Sequence, residues 1–212
     1  MKYSAMILAA GSGQRCGLGY NKLLYRFEDG ETILEKSVRA FERQADCAQI
    51  VLVISEGDEE IIRSLFGNRV EYVYGGASRQ DSSLNGLAAV CYDYVMIHDG
   101  ARPYISDEEI QACAERLETC DACLLMVPAK DTIKVVKKGQ VMSTLKRESL
   151  MIALTPQCFK TALIKECTQK AKRDGAVVTD DASIVEMYGD KPVEVVCGSY
   201  ANIKITTPDD LK

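Results

Sequence analysis

A chain of 212 residues, 47% hydrophobic and 27% charged, can bury a substantial core as one large α/β domain or two small ones. Its net charge of −5 lacks the basic excess that a nucleic acid or an anionic membrane surface demands, so any anionic ligand has to be held by a local cationic site. No apolar run reaches membrane-spanning length, and the run after Met1-Lys2-Tyr3 is too short, and too soon interrupted by glycine, for a secretory signal; a cytoplasmic protein is expected.

In chain order, the first β-rich apolar run is Ala5 to Ala9. Gly11, Ser12, Gly13 and Gly17 follow it as a nearly bare loop, with Arg15 and Lys22 at the same edge. The spacing Ile33-Leu34-Val38-Phe41 predicts a helix, Ile50 to Ile54 a strand, Ile61-Ile62-Leu65-Phe66 a second helix, and Val70 to Tyr74 a third strand. Tyr94 to His98 reads as the next strand, Ile110-Cys113-Ala114-Leu117 as the next helix, and Ala122 to Val127 as another strand. Residues 132–145, TIKVVKKGQVMSTL, break this pattern: they alternate like an exposed hairpin with Lys138-Gly139 at the turn. Helices near Lys160 to Lys172 and Asp181 to Tyr188, and a strand near Val193 to Val196, follow.

Strands alternating with helices imply parallel pairing through right-handed crossovers. With no repeat or linker in sight, the expectation is one domain over 1–212. It is a three-layer, Rossmann-like α/β domain with a mainly parallel sheet and a projecting β-hairpin arm at about 130–148. Ligands of such sheets sit beyond the carboxyl ends of the strands.

Nine cysteines are an odd count, scattered along the chain, and read as reduced, mostly buried thiols. Cys120 and Cys123 have CxxC spacing, but with no second such pair and one histidine in the chain a zinc site lacks ligands. That histidine, His98, lies inside an apolar strand and reads as a hydrogen-bonded core imidazole rather than a general base. Asp180 and Asp181 stand before a helical pattern, which suggests capping rather than a catalytic pair.

The glycine loop lets backbone N–H groups approach an anion without obstruction from Cβ atoms. It is not a P-loop, because GxxxxGK[ST] is absent. It is not a dinucleotide fingerprint either, because Cys16 occupies the third glycine position and no acid ends a second strand about 20 residues on. That argues against an NAD(P)-dependent oxidoreductase. Arg15 and Lys22 beside a phosphate loop suit phosphoryl or nucleotidyl transfer, where charge grows on the oxygens of a five-coordinate phosphorus.

The segments LAAGSGQRCGLGYNK (8–22), GGASRQDSSLNGL (75–87), HDGARP (98–103), TPQCF (155–159), VTDDAS (178–183) and NIKITTPDDL (202–211) resemble, in order, the motifs of the 2-C-methyl-D-erythritol 4-phosphate cytidylyltransferases. The resemblance spans essentially the whole chain. It implies transfer of CMP from CTP to methylerythritol phosphate with release of pyrophosphate, in non-mevalonate isoprenoid biosynthesis. It assigns nucleotide binding to Ala9, Ala10, Gly11, Gly13 and Gly100, and reading of the cytosine to Gly76, Ala77 and Ser82. Ser82, which follows Asp81, also has the pattern of a helix N-cap. Arg15 and Lys22 would stabilise the transition state, and Arg147 and Lys204 would position the methylerythritol phosphate, helped by Asp99, Arg102, Thr132, Thr155 and Thr179. Asp99 ends a strand beside the expected triphosphate, where a carboxylate suits Mg²⁺ or another divalent cation, although it also has the place of a cap for the helix after Pro103. A homodimer is implied, with two arms clasped across a twofold axis and carrying Thr132 and Arg147 into the neighbour's site.

Some positions depart from the family pattern. Gly100 stands where alanine is commoner, Leu23 follows the lysine where a polar residue is common, and the sequence ends at Lys212 where relatives usually add a helix. The nearest rival is ribitol-5-phosphate cytidylyltransferase, which shares the glycine loop, the GG segment and the NIKITTP ending. It differs from the stretches Thr179 to Ser183 and Lys146 to Leu150 here. A nucleotide-binding regulator without turnover is the alternative from another class, and the pairing of Arg15 with Lys22 argues against it.

Overall fold

The structure, a computed structural model, describes residues 1–11 and 18–211. A seven-stranded sheet is built from β1 (Tyr3–Leu8), β2 (Cys47–Ile54), β3 (Glu71–Tyr74), β4 (Tyr94–Asp99), β5 (Ala122–Pro128), β8 (Met151–Lys160) and β9 (Glu194–Cys197), in the order β3-β2-β1-β4-β8-β5-β9. β1 pairs in parallel with β2 and β4, β2 with β3, and β5 with β9. β8 runs antiparallel to both β4 and β5.

The central strands are apolar throughout because both faces of the sheet are covered. Along β2, Ile50, Leu52 and Ile54 enter one core cluster, whereas Val51 and Val53 enter the other. The first cluster takes the apolar stripes of α1 (Ile33–Glu42), α2 (Glu59–Phe66) and α4 (Asp107–Leu117). The second takes those of α3 (Arg79–Ala89), α5 (Thr161–Asp174) and α6 (Asp181–Tyr188). The three-layer, mainly parallel arrangement expected from the sequence is therefore present.

Two elements were not delimited from the sequence, although Ser82 had the pattern of a cap for one of them. β8 carries Pro156, a residue that a central strand rarely tolerates. The sheet absorbs it through a register shift: Leu124 faces Gln157, and Met126 faces Ala153. β8 runs antiparallel because the chain re-enters the sheet from a hairpin instead of a crossover helix. α3 gives little apolar signal because, apart from Leu87, its packed face is made of small residues. Ser82, Ser83 and Gly86 are all buried, and a Cβ on Gly86 would lie 2.5 Å from Met6 Sδ.

The hairpin is β6 (Lys134–Lys137) and β7 (Gln140–Thr144), which pair only with each other; every residue of both strands is exposed. The described cysteines are all unpaired. Cys113, Cys123, Cys158 and Cys167 are buried, but Cys91 and Cys197 are exposed, so the expectation of mostly buried thiols holds only in part. Among the described residues no helix is long and apolar enough to cross a membrane.

Candidate active site

The chain runs from β1 outward to β2 and β3, then returns to place β4 on the other side of β1. Such a reversal leaves a crevice at the carboxyl ends of the two strands. A cavity of about 580 Å³ lies there, bounded by Leu8 at the end of β1 and Asp99 at the end of β4.

One wall of it is glycine-rich for a steric reason. A Cβ on Gly75 would lie 2.4 Å from Ala10 Cβ, and one on Gly76 would lie 2.3 Å from Asp81 Cβ, so the loop after β3 fits against Ala10 and the first turn of α3 only because these two positions carry no side chain. Ala10, Gly11, Gly76, Ala77 and Ser82 all line the cavity. Ser78, not Ser82, caps α3, accepting from Asp81 N. The Ser82 hydroxyl instead accepts from Gly76 N (3.0 Å) and donates to Ser78 O (2.9 Å), which fixes the loop. Ala9 and Gly100 do not face the cavity. The Ala9 N–H donates to Val53 O (2.7 Å) and that of Gly100 to Leu8 O (3.0 Å), fastening the strand ends that support the site.

Lys22 lines the cavity and is only 8% exposed, unlike a solvated surface lysine. It opens a short turn that Asn21 caps by accepting from Leu23 N (3.1 Å) while donating to Asp58 Oδ2 (2.7 Å). Gly13 and Arg15 lie outside the described residues.

Opposite stands Asp99, ringed by cations. Lys204 Nζ is 2.8 Å from Oδ2, Arg102 Nε 3.7 Å from Oδ2, and Arg79 Nη2 3.8 Å from Oδ1. Burial alone would raise the Asp99 pKa, but Lys204, Arg79 and Arg102 outweigh it and hold the carboxyl at about 2. Helix capping is not its role: Ser106 caps α4, in a capping box with Glu109.

Behind Asp99 lies a buried polar network. The Thr155 hydroxyl accepts from Asp99 N (3.1 Å) and sits 3.0 Å from His98 Nδ1, while His98 Nε2 is 3.2 Å from Arg102 O. These contacts are all satisfied by the neutral Nε2–H tautomer, with Thr155 donating to Nδ1. Burial lowers the His98 pKa to about 4, consistent with a core imidazole. Arg102 is itself buried and donates to Asn202 O (2.7 Å). Thr155 and Arg102 therefore support Asp99 from below and do not line the cavity.

Thr132, Thr179 and Arg147 are exposed and stand apart from the lining; the Arg147 guanidinium donates to Lys130 O (3.0 Å). Asp180 caps α6 as expected, accepting from Ser183 N. Asp181 does not: it is 1% exposed and pairs with Arg79 at 2.8 Å. Arg79 is the charged cavity residue that the sequence reading missed, along with the uncharged Leu8, Ser78 and Ala101. Burial acts to lower its pKa, but Asp181 and Asp99 overcome this and raise it. Its position four residues into the GG segment was the only available signal.

A bare, glycine-lined wall facing lysines and an ionised carboxylate suits a nucleoside triphosphate and a second phosphate. The profile of the 2-C-methyl-D-erythritol 4-phosphate cytidylyltransferase (IspD) family matches residues 3–212. An enzyme of that name from Bacillus velezensis is 41% identical over 217 residues, covering 100% of this chain and 93% of its own. One from Halalkalibacterium halodurans is 42% identical over 218 residues, with coverage of 100% and 94%. Among solved structures, a 4-diphosphocytidyl-2C-methyl-D-erythritol synthase of Anaerococcus prevotii superposes with a TM-score of 0.86 at 34% identity, covering 99% of this chain and 95% of that one. The 2-C-methyl-D-erythritol 4-phosphate cytidylyltransferase of Thermus thermophilus gives 0.84 at 31% identity, with coverage of 100% and 96%. Motif order, cavity chemistry and full-length similarity agree, and the chain belongs to the 2-C-methyl-D-erythritol 4-phosphate cytidylyltransferase family of nucleotidyltransferases.

Proposed function

We propose that the cavity between β1 and β4 is where CMP passes from CTP to 2-C-methyl-D-erythritol 4-phosphate, giving 4-diphosphocytidyl-2-C-methyl-D-erythritol and pyrophosphate. The observation that carries this is the convergence of Lys22, Asp99 and Lys204 on one cavity walled by Ala10, Gly11 and Gly76.

The acceptor's phosphate oxygen attacks the α-phosphorus in line with the departing pyrophosphate. It is already ionised, so no general base is needed, and catalysis rests on positioning and charge stabilisation. Lys22, together with Arg15, balances the charge that grows on the α-phosphoryl oxygens. Removing one such donor costs roughly 3 kcal/mol of transition-state stabilisation. Gly76, Ala77 and the loop fixed by Ser82 receive the cytosine edge. Lys204 holds the acceptor phosphate.

Asp99 would hold a divalent cation such as Mg²⁺: it is a hard oxygen donor that its cationic neighbours keep ionised, and Mg²⁺ is commonly bound through one or two carboxylates together with substrate phosphates. The ion supplies charge neutralisation on the triphosphate when bound. The chain's own part is to keep that carboxylate oriented, through Thr155 and Arg102.

The acceptor end of the site is completed by a second copy. Thr132 and Arg147, which flank an exposed hairpin bearing Val135, Val136, Val141 and Met142, stand clear of their own cavity, and an apolar hairpin without a home in its own chain supports pairing across a twofold axis. The activity belongs in the cytoplasm, with its phosphorylated substrates. The test is pyrophosphate release from CTP with each polyol phosphate. Strong dependence on methylerythritol phosphate supports the proposal, whereas preference for ribitol 5-phosphate, or release without an acceptor, overturns it.

A further inference from the structure

Arg79 is the first residue of α3 and lines the cavity, but none of the roles above uses it. Its guanidinium lies between carboxylates from two elements: Nη2 is 2.8 Å from Asp181 Oδ2 on α6 and 3.8 Å from Asp99 Oδ1 on β4. Asp181 is essentially inaccessible, at 1% exposure, and its Oδ1 accepts from Ser83 Oγ (2.5 Å). Its Oδ2 accepts no well-aligned hydrogen bond among the described residues, so the approach of Arg79 is an ion pair off the N–H axis. A buried carboxylate with no aligned donor on one oxygen needs a cation held against it. That need fixes where the guanidinium sits.

We propose that Arg79 is a positioning residue of the reaction: aimed by Asp181, it holds Asp99 at Oδ1 while Lys204 approaches Oδ2, so the carboxylate meets the metal–nucleotide in one orientation. The inference rests on the reading of Asp99 as the metal-facing carboxylate. Both approaches are made by Nη2, so what an arginine supplies here is the reach of its rigid, planar guanidinium into the gap between the two acids, which the flexible stem and compact ammonium of a lysine do not reproduce. The α3–α6 contact does not depend on the guanidinium alone, since Ser83 reaches Asp181 and Gln80 Nε2 reaches Ala176 O (3.0 Å).

The discriminating variant is Arg79→Lys, which keeps a cation for Asp181 but gives up the guanidinium's rigid reach towards Asp99. Thermal stability should stay near that of the wild type. The dissociation constant of Mn·CTP, measured by water-proton relaxation, should rise by roughly tenfold to a hundredfold, as for other residues that orient a metal ligand, with a parallel fall in kcat. Asp181→Asn should shift Mn·CTP binding in the same direction, and the double variant should lose no more than the worse single one, because both act through one contact. Wild-type Mn·CTP affinity and kcat in Arg79→Lys, with Asp99→Asn impaired, would overturn the inference alone and leave an ion pair that merely ties two helices. Wild-type Mn·CTP affinity in Asp99→Asn would overturn the reading of Asp99, and this inference with it.

Discussion

Lys204 and Asp99, 105 positions apart in the chain, meet at 2.8 Å across the mouth of the cavity. The contact joins the C-terminal segment to the end of β4 and leaves an ionised carboxylate among cations. Asp99 sits at about 2 instead of 3.8. A carboxylate depressed in the fold contributes stability above its unfolded pKa and loses it as pH falls through its folded value. The stability difference between wild type and Asp99→Asn should thus be constant above about pH 4 and shrink by about 2 kcal/mol towards pH 2. Urea unfolding across that range is the measurement, and a difference independent of pH would contradict the depressed carboxyl.

His98 is the chain's one histidine, so its titration can be followed without overlap. Burial lowers its pKa to about 4 from 6.5. Because the unfolded chain takes up the proton first, this group's stabilising contribution is complete above about 6.5 and declines as pH falls towards 4. Nitrogen NMR should show a neutral Nε2–H imidazole through neutral pH. A midpoint near 6.5 would contradict the buried network with Thr155.

Gly76→Ala tests the nucleotide wall. The added Cβ would lie 2.3 Å from Asp81 Cβ and 3.1 Å from the Asp81 carbonyl carbon, so the loop has to move away from the head of α3. Gly76 is exposed, and the fold should persist. Catalytic efficiency with CTP should fall roughly a hundredfold, the effect of about an ångström of misplacement. Unchanged kinetics would remove this loop from the base site.

The shared site can be tested by mixing Lys22→Ala and Arg147→Ala subunits after dissociation and reassociation. If Arg147 serves the neighbouring cavity, each mixed dimer keeps one intact site of two. Random reassortment should then restore roughly a quarter of wild-type activity. No recovery above the parent variants, with exchange verified by mass spectrometry, would place Arg147 in its own subunit's site.

The sequence disclosed the strands that are buried on both faces, because parallel central strands read as unbroken apolar runs. It concealed β8, where Pro156 spoils the pattern and a register shift at Leu124 and Met126 repairs it. It also concealed α3, whose buried face is serine and glycine apart from Leu87. Within the site, the bare loop and its flanking cations could be read from residues 11–22, but a glycine turn and a loop lysine have ordinary uses as well, and Asp99 and Lys204 were legible only through the resemblance of their motifs to the family. The Arg79–Asp181 pair was not: acids are frequent at the head of a helix, and only the three-dimensional contact separates the cap, Asp180, from its neighbour, the counter-ion. Ser82 was misleading for the same reason, since a serine near the start of a helix resembles a cap whether it caps or, as here, latches Gly76 from inside the first turn.

Direct attack of the acceptor phosphate on the α-phosphorus, with the chain supplying only position and charge, leaves its mark in the stereochemistry at that phosphorus. CTP carrying sulfur at one α-oxygen, as a single diastereomer, is allowed to react with methylerythritol phosphate, and the configuration of the product is read by phosphorus NMR. Direct in-line transfer gives the thio-substituted diphosphate with inversion. Retention, the mark of two successive displacements through a covalent nucleotidyl-enzyme, would contradict it.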